Sequence, residues 1–299
     1  MNRVLDAIGN TPMIELRQLA PSDGTRIFAK CEFMNPSGSL KDRMARYIVQ
    51  KAEERGDLKP GSTILEVSSG NTGIAFSMIG AAKGYRVIIM LPRTVSVERR
   101  KIITSLGAKL ILINDFLGMR EAIEEAEEIA KMDATIFLPR QFSNPDNPAA
   151  HYNSLGQEIL SQMRKQVDAF VMGVGTGGTL MGVGRALKDA IPEVKIVAAE
   201  PAESAVMSGG KPGHHGIQGL VDGFVPDIVD LDFIDEVIQV KTDEAVEMAR
   251  RLATEEGLFV GISAGANVLA SLELARNFGR GKNIVTILPD TGMRYLSLS

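Results

Sequence analysis

Cysteine is almost missing from this 299-residue chain: Cys31 is the only one. A lone thiol cannot close an intramolecular disulfide, so packing must hold the fold, and a reducing compartment is the natural setting. Excess charge of either sign is missing too. Lysine and arginine total 33 against 37 aspartates and glutamates, the formal net charge is −4, and no five basic residues run together. No electrostatic footprint for nucleic acid or an anionic membrane is left. No apolar stretch approaches the roughly 20 residues that cross a bilayer. The opening residues, MNRVLDAIGNTPMIEL, lack the basic start and unbroken apolar run of a secretory leader, so a cytoplasmic protein is expected. Repeats, low-complexity tracts and appended tails are also lacking, which excludes solenoids and leaves no regulatory module to read.

What is present is ordinary for a globular chain, with 44% hydrophobic and 23% charged residues in a length that suits two compact domains. From about Ile64 onward, short β-branched runs alternate with amphipathic stretches, the pattern of βαβ units and a parallel sheet covered on both faces. The fold class is α/β. Strands are expected at 63–67, 86–91, 109–113, 135–138, 169–173, 195–199, 236–240 and 283–288. Helices are expected between them. Residues 118–132 place Ala122, Ile123, Ala126, Ile129 and Ala130 on one face, which needs no purpose beyond packing. Turn formers cluster at 139–148 (PRQFSNPDNP), and a domain break is expected there.

Four loops carry chemistry. In the first, NPSGSLKDR (35–43), Ser39 is a suitable N-cap that would put Lys41 in the first turn of a helix over 41–55. A cation at the positive end of a helix dipole is disfavoured, which lowers its pKa and suits a nucleophilic amine. The plainer alternative is a lysine that merely opens an exposed helix. The second loop, SSGNTG (68–73), offers hydroxyls, an amide and free backbone N–H groups at a helix start, more than capping alone requires and suited to a carboxylate. The third, GVGTGGT (173–179), is a phosphate cup of converging amides with two threonine hydroxyls. It also satisfies G-x-G-x-x-G, with Glu200 near the distance expected of a dinucleotide fingerprint, so an NAD-dependent dehydrogenase stands as an alternative. The fourth, GISAG (261–265), matches a hydrolase nucleophile elbow, but His151, His214 and His215 all precede Ser263, the wrong order for that triad.

Taken together, PSGSLKDR, SSGNTG, GTGGT and GISAG, flanked by IGNTP at 8–12 and by LPDTG and RYLS at 288–297, closely resemble the cysteine synthase and cystathionine β-synthase family of pyridoxal-phosphate enzymes. The resemblance spans nearly the whole chain. It implies two α/β domains, each with a mostly parallel sheet covered by helices and the active site in the cleft between them. A smaller mobile domain, 43–143, would close over a larger one, 1–42 plus 144–299, that carries the phosphate loop.

The resemblance also implies roles. Lys41 would form the Schiff base with pyridoxal 5'-phosphate and serve as the general base. Asn71 would bind the cofactor's phenolate oxygen, Gly175, Thr176, Gly177, Gly178 and Thr179 its phosphate, and Ser263 its pyridine nitrogen. Ser68, Ser69, Thr72 and Gln141 would take the substrate carboxylate. No metal is called for. The implied reaction is β-replacement on an activated L-serine through an aminoacrylate, by default O-acetyl-L-serine plus sulfide giving L-cysteine and acetate. Cystathionine β-synthase, cysteine desulfhydrase and serine dehydratase activities share the scaffold. O-phosphoserine as donor would want an added cation, with Lys211 and Arg140 as candidates. Asp222 stands where sulfide-using relatives carry a small neutral residue, and it is a candidate for selecting a thiol that bears an amino group. A homodimer is the expected assembly.

Overall fold

The computed structural model describes residues 4–68, 70–113, 119–220 and 223–298. The chain opens with β1 (Met13–Glu15) and β2 (Arg26–Cys31), an antiparallel pair, and α1 (Lys41–Arg55) follows. Next come β3 (Thr63–Val67), α2 (Asn71–Lys83), β4 (Arg86–Pro92), α3 (Val97–Ser105), β5 (Lys109–Ile113), α4 (Met119–Met132) and β6 (Ile136–Phe137). A second series holds α5 (Asp146–His151), α6 (Gln157–Gln162), β7 (Ala169–Gly173), α7 (Gly178–Ala190), β8 (Lys195–Pro201) and β9 (Glu236–Val240). It ends with α8 (Thr242–Glu255), α9 (Ile262–Phe278) and β10 (Asn283–Leu288).

These strands form two sheets. One has six strands in the order β1-β2-β10-β7-β8-β9, the other four in the order β5-β4-β3-β6. Beyond the β1–β2 pair, every pairing between these strands is parallel. β10 shows why the pattern is so apolar. All six of its residues are buried, with Ile284 and Leu288 packing into one layer and Val285 and Ile287 into the layer on the other face.

The expected strands all appear, five of them with unchanged ends; the 135–138 segment shrinks to Ile136–Phe137. Two further strands, β1 and β2, have no counterpart in the sequence reading. β1 is only three residues long, and β2 (RIFAKC) carries a lysine where a core strand should be apolar. That lysine, Lys30, is fully buried. Its ammonium reaches Glu158 at 2.7 Å and the Thr11 carbonyl at 2.5 Å. Glu158 also receives Arg43 at 2.7 and 2.8 Å, and Arg43 grips Glu32 with a second pair of bonds at 2.7 and 2.9 Å. Two buried cations thus meet two carboxylates, and the forked geometry compensates much of the dehydration cost. The network fixes the start of α1, two residues from Lys41.

Ser39 does not cap α1 with its side chain. The helix begins at Lys41 with Leu40 at the capping position, and the buried Ser39 Oγ has no partner. Asp42, in the first turn, ties down the preceding loop: its carboxylate accepts from the Ser37 backbone N–H at 2.7 Å and from the Ser37 hydroxyl.

Burial alone would raise the Glu158 carboxyl, but hydrogen bonds from Arg43 and Lys30 prevail and hold it at about 2. A carboxyl depressed on folding adds stability above its unfolded value of about 4.3 and loses that contribution as pH falls. Thermal unfolding of the Glu158→Gln variant should show about 3 kcal/mol less stability at neutral pH and a shallower decline below pH ~4.5 than the parent. Superimposable pH profiles for the two proteins would refute the assignment.

Candidate active site

Parallel strands deliver their carboxyl ends to one side of a sheet, and crevices form where the following loops diverge. Here the loops after β3, β6, β7 and β10 converge on one pocket of about 900 Å3, its open mouth included. Lys41, Asn71, Thr72 and Gln141 line it together with Gly175, Thr176, Gly177, Thr179 and Ser263. Residues scattered over more than 220 positions of sequence, counted from Lys41 to Ser263, meet there.

Lys41 is half-buried and faces this pocket. Loss of hydration brings its amine down to about 8, with the Glu66 carboxylate opposing the shift. Burial, and not the helix dipole expected from the sequence, is the first cause of that shift. Glu66 itself is pushed up to about 8, chiefly by burial, against hydrogen bonds from the Val67 backbone and Gln141.

Asn71 is the first residue of α2, and both ends of its amide are engaged. Nδ2 donates to Asp290 at 2.7 Å, and Oδ1 accepts from Arg294. Because one partner only accepts and the other only donates, the amide orientation is set, and the second N–H of Nδ2 remains for a ligand. Thr72 donates its hydroxyl to Gln141 at 2.7 Å, and Gln141 donates to the Val67 carbonyl at 2.9 Å, which locks both side chains at the pocket wall. Across the mouth, the rings of Phe142 and Phe224 meet with centroids 5.5 Å apart.

The third loop is built as an anion cradle. It runs from the end of β7 into the N-terminus of α7, where unpaired N–H groups and the dipole favour negative charge. Its glycines are sterically required: a Cβ at Gly175 would stand 2.4 Å from the Gly219 carbonyl oxygen, and Gly177 has φ +83° with Val229 only 2.3 Å from its Cβ position. Ser263 sits in the first turn of α9, 5% exposed, on the same pocket.

Not every expected residue joins the lining. Ser68 is buried beneath it, its Oγ accepting from the N–H groups of Gly70 at 2.9 Å and Gly73 at 3.0 Å, so it caps α2. Gly178 packs behind the loop against Asn147. Ser69 and Asp222 lie outside the described residues. Arg140 is turned away and paired with Glu127 through two bonds of 2.7 Å, and Lys211 is exposed and not part of the lining. Glu200, which the dinucleotide reading needs for a ribose, is 1% exposed and spends its oxygens on the Met207 and Ser208 N–H groups at 2.8 and 3.1 Å. It cannot reach a cofactor.

Three residues that sequence reasoning passed over shape the site. Arg99, 1% exposed, is the guanidinium on the pocket wall and binds the Tyr295 hydroxyl at 2.8 Å and Gln218. Asp290 accepts from Tyr295 as well as from Asn71. Asn267, one turn beyond Ser263 on α9, accepts from the Gly173 N–H at 2.7 Å and donates to the Ile287 carbonyl at 2.8 Å, tying β7 to β10 beneath the cradle. Only the four-residue spacing from Ser263 could have flagged it.

A dehydrated amine, a fixed amide donor, an anion cradle and a neutral hydroxyl on one wall fit a phosphorylated aldehyde with a ring nitrogen, and they match pyridoxal phosphate part for part. Comparisons with known proteins agree. The sequence pattern of a family described as "Pyridoxal-phosphate dependent enzyme" matches residues 4–290. A cysteine synthase of Staphylococcus aureus is 45% identical over 298 residues, 99% of this chain and 96% of that one. An O-ureido-L-serine synthase of Streptomyces lavendulae is 46% identical over 297 residues, covering 99% of this chain and 91% of its own. The crystal structure of a cysteine synthase from Entamoeba histolytica superposes with a TM-score of 0.94 at 46% identity, over 99% of this chain and 89% of that one. With the matching pattern running through every loop of the pocket, this chain belongs to the family of pyridoxal-phosphate-dependent enzymes.

Proposed function

We propose that this protein is a cysteine synthase, replacing the acetoxy group of O-acetyl-L-serine with sulfide to give L-cysteine and acetate. The observation that carries the reading is the Lys41 amine, dehydrated to about 8, in one pocket with the Asn71 amide and the glycine cradle. Full-length similarity to cysteine synthases supports the same donor and nucleophile.

When bound, pyridoxal phosphate supplies an electron sink for the bonds at the substrate's Cα. Lys41 would anchor it, Asn71 would hydrogen-bond its phenolate oxygen, residues Gly175 to Thr179 would hold its phosphate, and Ser263 would face its ring nitrogen. A serine there offers a neutral hydroxyl where a carboxylate would stabilise full positive charge, so the sink is weak. A weak sink favours loss of a β-substituent as the α-proton leaves, over build-up of a carbanion. The Lys41 amine, with its pKa near working pH, is matched to taking that proton. Thr72 and Gln141, together with Ser69 and the capped turn at Ser68, would bind the substrate carboxylate. Acetate then departs from the β-carbon, sulfide adds to the same carbon, and Lys41 would return the proton to Cα.

The division into a smaller unit, 43–143, and a larger one, 1–42 plus 144–299, is part of the proposal. It is supported by β3 to β6 forming their own sheet within the first span. Closure of one unit on the other would exclude water from the pocket. A homodimer and a cytoplasmic location complete the reading. The lone Cys31, buried and with its thiol pushed up to about 11 by burial and then by Glu32, suits a reducing setting. Among the described residues no helix is long and apolar enough to cross a membrane.

Asp222 is proposed to tune the choice of nucleophile, because its described neighbours on either side, Leu220 and Phe224, line the pocket. Asp222→Asn should change the ratio of rates with sulfide and with an amino-bearing thiol such as homocysteine by about tenfold or more. An unchanged ratio would reject this role.

Two further outcomes are expected. Stripped of cofactor and mixed with pyridoxal phosphate, the chain should develop its Schiff-base absorbance at a rate that rises with pH and is half-maximal near 8, where free amine replaces ammonium. A midpoint near 10.5, the ordinary lysine value, would show that the pocket does not dehydrate Lys41. The loaded protein should change its visible spectrum on addition of O-acetylserine and recover it on addition of sulfide, while Lys41→Ala lowers turnover by about 10³-fold or more. A coloured protein indifferent to O-acetylserine would rule out that donor.

A further inference from the structure

The anion cradle has a second layer. Asn147 and His151, one turn apart on α5, are each 1% exposed, lie outside the pocket lining and touch the two cradle hydroxyls from behind. Asn147 Nδ2 donates to the Gln141 carbonyl at 2.8 Å and to the Thr176 hydroxyl oxygen at 2.9 Å. A carbonyl can only accept, so the amide nitrogen must face this way, and Thr176 accepts from it. His151 Nε2 stands 3.3 Å from the Thr179 hydroxyl, while its Nδ1 is buried with no partner. The ring is neutral, because burial and then the charges of Lys41 and Arg43 hold it well below its usual range. A buried lone pair without a partner costs less than a buried N–H without one, so the proton belongs on Nε2 and is donated to Thr179. Both hydroxyls therefore accept from α5, and the single hydrogen of each is left for the pocket.

The seam that permits this is built from glycine. A Cβ at Gly178 would fall 2.0 Å from Asn147 Oδ1, and one at Gly182 would fall 2.2 Å from the Pro148 carbonyl, so α7 reaches α5 only because both positions are bare. We propose that Asn147 and His151 are positioning residues that turn Thr176 and Thr179 into donors for the phosphate of the cofactor, selecting an acceptor-only anion over ligands that lack one. The inference rests on the reading that this loop takes that phosphate.

The test uses the full-length chain stripped of cofactor and titrated with pyridoxal phosphate and with pyridoxal, which has the same aldehyde but no phosphate, following Schiff-base absorbance. His151→Leu and Asn147→Leu should each weaken pyridoxal phosphate by about tenfold and leave pyridoxal unchanged. His151→Gln keeps a donor near Nε2 and should restore most of the affinity. Equal losses for both ligands, no loss, or no rescue by glutamine would overturn the positioning role. Should the leucine variants fail to fold, Asn147→Asp retains the shape, loses the donors and must show the same phosphate-selective loss. A parent protein that binds pyridoxal as tightly as pyridoxal phosphate would instead remove the reading of the loop, and the inference with it.

Discussion

One carboxylate holds the site together. Asp290, fully buried just after β10 of the six-stranded sheet, accepts from Asn71 on α2 and from Tyr295 near the C-terminus, with Arg99 of α3 at 3.7 Å. Both α2 and α3 flank the four-stranded sheet. All three partners meet its Oδ2, Oδ1 being buried without a partner, and they come from both sheets. Arg99 lies 4.7 Å over the Tyr295 ring and Arg294 reaches back to Asn71 and the Ser37 carbonyl, so the cluster also touches the loop that leads into Lys41. The amide orientation of Asn71, the wall at Arg99 and the approach to Lys41 are set by one set of bonds.

A similar economy governs the other end of the pocket. The Glu32, Arg43, Glu158 and Lys30 network anchors α1 at its third residue, and Asp42 folds the preceding loop onto the first turn. Lys41 is followed on the chain by two fixed residues, Asp42 and Arg43. Its amine is lowered because it is dry, which is a property of the pocket rather than of the helix it begins. Burial likewise raises Glu66 and lowers His151, both shifts toward the neutral form.

The sheets were legible because the inner parallel strands are mostly apolar, and β3, β5, β7, β9 and β10 are set off by loops rich in glycine or charge. β2 was hidden by Lys30, whose counter-ion lies 128 positions away; a buried ion pair looks like a surface lysine until the fold joins its halves. The cradle, Lys41 and Asn71 were legible because each loop carries its donors in a few consecutive residues. Arg99, Asp290, Asn147, His151 and Asn267 were not, since each acts by contacting a residue far along the chain, as Asp290 does with Asn71 across 219 positions. Ser68 misled for a related reason: a hydroxyl at a helix start can serve a ligand or its own backbone, and here it serves the backbone.

The most direct measurement is covalent. Reduction of the loaded full-length protein with borohydride, followed by proteolysis and mass spectrometry, should place a single pyridoxyl phosphate group on the peptide containing Lys41. A label on Lys30, on a surface lysine, or on none would contradict the account.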